Sequence, residues 1–107
     1  MMGFLQSWYQ SQCDGDWEHE FGIRIETLDN PGWNIEIDLT GTDSEGRTLP
    51  KTDMWTSPDG RWLWLSSNGE KFEASCDPIS IDHAILRFKE LVEGGGKGSN
   101  DDSDPVS

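Results

Sequence analysis

The densest run of chemically capable side chains lies between residues 13 and 19, where Cys13, Asp14, Asp16, Glu18 and His19 stand close together. Thiolate, imidazole and carboxylate are ligand types for zinc and calcium, and the fold could bring Cys76 and His83 to the same place. The spacing argues against a metal. There is no Cys-x-x-Cys or His-x-x-x-His pair, and the Asp-x-Asp-x-Glu run lacks the remainder of a calcium loop. A thiol-imidazole pair drawn from Cys13 or Cys76 and His19 or His83 would suit nucleophilic chemistry. No glycine-rich phosphate loop or nucleophile elbow accompanies either cysteine, and Cys76 falls at an inward strand position fit for a small core residue. A small metal- or thiol-dependent enzyme is therefore the alternative reading, and no cofactor is expected.

Recognition is the chemistry the remaining residues favour. Glu20, Glu26, Glu36 and Asp38 alternate with apolar residues, so a strand would set them on one face around Arg24. Trp62 and Trp64 should share that face on a later strand. Tryptophan beside carboxylates suits a surface that anchors by burial and is steered by charge toward a basic protein. Asp14, Asp16, Trp17 and Glu18 would add a recognition loop held by the scaffold. The bland readings stand beside these: a solvated acidic face, a second core covering the tryptophans, and Trp17 and Trp33 packed into the core ends. For Trp33 and the Asn30-Pro31-Gly32 turn the structural reading is preferred.

The elements that position these residues follow from periodicity. Phe4, Leu5, Trp8, Tyr9 and Gln12 recur at helical spacing, which predicts a helix over about 3–12, stopped by Cys13-Asp14-Gly15-Asp16. From about Glu18 the period becomes two, with Phe21, Ile23, Ile25 and Thr27 inward, and it resumes with Trp33, Ile35, Ile37 and Leu39. Opposed residues share a face, so Thr27 should pair with Trp33 and Pro31-Gly32 should fill a type II turn. A short strand over 52–56, a strand over 61–66, a turn at Ser67-Asn68-Gly69-Glu70 and a strand containing Phe72, Ala74 and Cys76 come next. Asp77-Pro78 opens a closing helix whose stripe is Ile81, Ala84, Ile85, Phe88, Leu91 and Val92. The expected fold is α+β: an antiparallel four- or five-stranded meander sheet with an N-terminal and a C-terminal helix packed mainly on one face.

Composition sets the partner class. The 107 residues hold 21 acidic and 8 basic side chains for a formal charge of -13, which opposes nucleic-acid and membrane binding and favours a basic partner. Six tryptophans, four phenylalanines and one tyrosine supply a core built on aromatics. Two cysteines make no disulfide framework, and neither a signal peptide nor a membrane span is evident, so a cytoplasmic protein with reduced thiols is expected. Residues 1–93 should form a single domain, followed by a disordered acidic tail over 94–107. The oligomeric state is not legible.

The run from Trp8-Tyr9 through Gln12-Cys13-Asp14-Gly15-Asp16-Trp17-Glu18-His19, then Gly22-Ile23, Thr27-Leu28-Asp29-Asn30-Pro31-Gly32-Trp33 and Asp38-Leu39, resembles the immunity protein 53 family of bacterial polymorphic-toxin systems. The resemblance spans roughly residues 5–92 and is looser through the second hairpin, where Cys76-Asp77-Pro78 still fits. It implies a cytoplasmic antidote that binds a cognate toxin domain and blocks its active site or substrate groove. The charge adds a preference for a basic, nucleic-acid-acting toxin. A generic acidic adaptor for some other basic protein is the remaining alternative.

Overall fold

A computed structural model describes residues 2–50 and 55–95. Among them the chain forms helices α1 (Met2–Gln12), α2 (Trp17–Glu20) and α3 (Ile81–Glu90) and strands β1 (Ile23–Leu28), β2 (Gly32–Asp38), β3 (Thr48–Leu49), β4 (Trp55–Thr56), β5 (Trp62–Asn68) and β6 (Lys71–Cys76). Leu91–Gly95 continue α3 as one wider, π-helical turn. The α+β class and the flanking helices are as expected. The rest of the predicted tail, from 96 on, and most of the predicted 52–56 strand lie outside the described residues.

Two hairpins build the sheet. Thr27 pairs with Trp33 as the inward/outward parity requires, and Ile25 with Ile35 and Ile23 with Ile37 follow. The turn is shorter than expected, because Leu28 also pairs with Gly32 and leaves Asp29, Asn30 and Pro31 as the loop. Gly32 is thus a strand residue, and the reason for glycine is close approach instead of turn geometry. A Cβ there would run into the Cys76 carbonyl oxygen and stand 3.2 Å from the Trp62 indole.

The strand order is β1-β2-β6-β5-β3, with β4 also on β5. It departs from a simple meander: β2 pairs antiparallel with β6, the last strand, and not with the strand that follows it, while β3 pairs with β5 instead of β2 or β4. Residues 39–61 carry the chain past this junction so that β5 lies outside β6. The central pair is the most apolar, Ile35 against Ala74 and Ile37 against Phe72, with Leu63 and Leu65 completing the inward face.

Among the described residues, helices cover that face alone. Leu5 and Trp8 of α1 and Ala84, Ile85 and Phe88 of α3 join the inward strand residues in one core. Phe88 meets Trp8 edge-on at 5.0 Å and Phe72 at 5.1 Å, so an aromatic cluster welds both helices to β6. Three further boundaries move. β5 runs on to Asn68, into the expected Ser67-Asn68-Gly69-Glu70 turn. The first strand does not begin near Glu18, because Trp17–Glu20 form a helical turn. The closing helix starts at Ile81 after Ser80, since the Asp77 carboxylate is used elsewhere.

Candidate functional site

The register that buries Ile35, Ile37, Phe72 and Leu65 turns alternate residues to the opposite face, which no described helix covers. Three rows cross it. Glu26, Asn34, Ser75 and Trp64 form one; Arg24, Glu36, Glu73 and Ser66 the next; Asp38 and Lys71 the third. Trp62 stands beyond the first row, with its ring against Gly32. Glu26, Glu36, Asp38, Trp62 and Trp64 therefore do share a face, with both indoles half-buried.

The acids on this face are not bare. Glu36 receives Arg24 Nη1 at 3.2 Å and Lys71 Nζ at 3.5 Å, and its side chain is only 25% exposed. Arg24 Nε also lies 3.8 Å from Glu26. One Asp38 carboxylate oxygen accepts the Gly22 amide at 3.0 Å and so fixes the start of β1. Four carboxylates around two cations leave the patch negative but ordered. A hollow of about 270 Å³ lies at this end, bordered by Glu20, Arg24, Glu36, Asp38 and Lys71. A second of about 270 Å³ lies at the tryptophan end, between Asn30, Trp62 and the Ser57–Gly60 turn.

The 13–19 segment does different work. The Asp14 carboxylate accepts the amides of Trp17 and Asp16, both at 2.9 Å, and these bonds hold its pKa below the usual aspartate value. Glu18 accepts the amides of Asp14 and Gly15, and its pKa is lowered by its own backbone amide and by those two. Gly15, at φ +97°, lets the chain double back. The two carboxylates thus build the loop, while Asp16 is exposed. Trp17, placed by sequence in the expected recognition loop, is a core residue. It is 5% exposed, donates its indole N–H to the Thr40 carbonyl at 2.9 Å, and packs on Trp8 and Phe21. Asp14, Asp16 and Glu18 do not border the hollow at Glu36.

The candidate thiols and His83 have other surroundings. Burial, with some help from Asp77, raises the Cys76 thiol to about 11, and both cysteines are free. Cys13 Sγ points to the Tyr9 carbonyl and His83 packs edge-on against Trp55. Among the described residues no three His, Cys, Asp or Glu side chains converge as a metal site.

Lys71 and Glu73 belong to the face but were not singled out from sequence. Their outward parity was legible from Phe72, Ala74 and Cys76; their position beside Glu36 depends on the β2–β6 pairing, which was not. Asp77, with Pro78, is expected to open the closing helix. It instead receives the Trp62 and Ile79 amides at 2.8 and 3.0 Å and ties β5 to the end of β6.

A sheet sealed by helices on one side and presenting indoles beside ion-paired carboxylates on the other has the layout of a small recognition domain. The family profile described as immunity protein 53 matches residues 2–93, and the chain belongs to that family. Neither the curated proteins nor the solved structures provide a match. Membership implies a cognate toxin as the binding partner. No helix among the described residues is long and apolar enough to cross a membrane.

Proposed function

We propose that this chain is a cytoplasmic, non-enzymatic antidote that neutralises its toxin by laying the open face of the sheet over a basic, nucleic-acid-binding cleft. The observation that carries the reading is the juxtaposition on one helix-free face of Trp62 and Trp64 with Glu26, Glu36, Asp38 and Glu73. Half-buried indoles supply anchors that lose little side-chain freedom on docking, and the carboxylates supply charge complementarity. The -13 charge of the chain extends that complementarity to encounter from a distance. Residues 1–93 are the working domain in this reading, with Asp16 near its margin.

Glu73 is the cleanest residue for a test, because it lies directly opposite Glu36 on the neighbouring strand. Glu73→Lys replaces a like-charge pair by an opposite one and should stabilise the fold by about 0.2–1 kcal/mol. The same change should weaken binding to the toxin encoded beside it by about tenfold or more. Denaturant unfolding and calorimetric titration measure the two effects. Co-expression supplies the functional arm: the toxin should kill cells alone and be tolerated with the wild-type chain. Unaltered affinity in a folded Glu73→Lys protein would remove the open face as the docking surface.

A further inference from the structure

One edge of the sheet is β1, which pairs with β2 on one side and with no described residue on the other. The Asp38 amide donates to the Gly22 carbonyl at 3.0 Å, which makes Gly22 and Asp38 a hydrogen-bonded pair. Antiparallel ladders alternate, so Arg24 and Glu26 also direct their amides and carbonyls toward β2. Those of Ile23, Ile25 and Thr27 point outward. Of the usual protections this edge carries only two charges, Arg24 and Glu26: the strand contains no proline, lysine or bulge. Beside it runs an apolar groove of about 430 Å³ between Met2, Leu5 and Tyr9 on α1 and Ile23 and Ile25 on β1. Met2 is 56% and Tyr9 39% exposed at its rim.

We propose that a second copy of this chain occupies the edge, with the two β1 strands pairing antiparallel about a two-fold axis through Ile25. The strand reads Ile23-Arg24-Ile25-Glu26-Thr27, and its charges are complementary to their own reversal. With Ile25 opposite its copy, Arg24 faces Glu26 of the partner subunit at both ends, and Ile23 faces Thr27 of the partner subunit. The residues opposed at 23, 25 and 27 are those whose backbone groups point outward, so the ladder continues in phase. Moving the register by two residues centres it on Arg24 or Glu26 and sets like charges face to face. Charge thus selects one alignment. An axis perpendicular to the sheet keeps both helix layers on one side, so the two apolar grooves meet and cover Met2 and Tyr9. The open face becomes continuous across the pair, and the inference holds whether or not that face is where the toxin docks.

Sedimentation equilibrium of the full chain at physiological ionic strength, from micromolar to near-millimolar concentration, tests this. The wild type should show a reversible monomer–dimer equilibrium. Glu26→Arg and Arg24→Glu each oppose like charges at both ends and should weaken it by about tenfold or more. Both substitutions change net charge, and Glu26→Arg makes the chain less negative, which by itself would favour association; weakening therefore reports the local pairing. An equimolar mixture of the two variants should recover the dimer, because each then meets opposite charges on the other. Recovery also shows that both variants fold, and circular dichroism checks each alone. A wild type that stays monomeric overturns the proposal. So does Glu26→Arg associating as the wild type does, or a mixture of folded variants that fails to associate.

Discussion

Asp77 shows how far a residue's role can be read before its neighbours are known. An aspartate before proline is a fair helix opener by type, yet here the carboxylate is buried and receives two backbone amides from segments on either side. Burial opposes its ionisation, but the Ser80 hydroxyl and the Trp62 and Ile79 amides outweigh that, and its pKa lies below the usual aspartate value. A group shifted this way stabilises the fold above its unfolded pKa, and the contribution fades as pH falls through the folded one. The stability difference between wild type and Asp77→Asn should therefore be full above about pH 4 and narrow at lower pH. Urea unfolding at stepped pH measures it, and comparing the two proteins cancels the general effect of neutralising an acidic chain. The same lesson applies to Asp14, Glu18 and Trp17. Their types suggested a binding loop, but two close the loop on itself and the third fills the core. Side-chain type gave the chemistry available; partner geometry decided its use.

Strands and hairpins were the most legible elements, because period-two alternation fixes which side each residue faces. Parity alone placed Thr27 opposite Trp33 and put the acids with Trp62 and Trp64 on one face. The boundaries that moved are those set by tertiary contacts: the helical turn at Trp17–Glu20, pulled in by the Trp17 indole, and the late start of α3. Gly32 shows the same limit. Its neighbours Asn30 and Pro31 made a turn role reasonable, but its function is to let β2 approach β6 beneath Trp62. Gly32→Ala should destabilise the fold by about 1–3 kcal/mol, as overpacking does, in chemical denaturation. A cost near zero would mean that the β2–β6 junction yields easily, and that Trp62 is less firmly seated than its contact suggests.

For the molecule as a whole, charge and class were readable from composition and pattern, whereas strand order was not. Turn chemistry is local, and nothing in the 39–61 connection says that β6 will come to lie against β2. Net charge carries a prediction of its own. If carboxylates steer the chain to a basic toxin, affinity should fall by about tenfold or more between low and high salt, mostly through slower association. Stopped-flow binding at several salt concentrations tests this, and a flat response would sink the steering account. The central pairing of β2 with β6 reaches further still. Trp33 must find Cys76 and Asp38 must find Lys71, so the middle of the sheet joins segments from distant parts of the chain. A nascent polypeptide still lacking its last third can pair β2 only with β1, and the ordering cost of the long loop to β6 falls late in synthesis. Protection would then rest on finished copies already in stock, not on those still emerging from the ribosome.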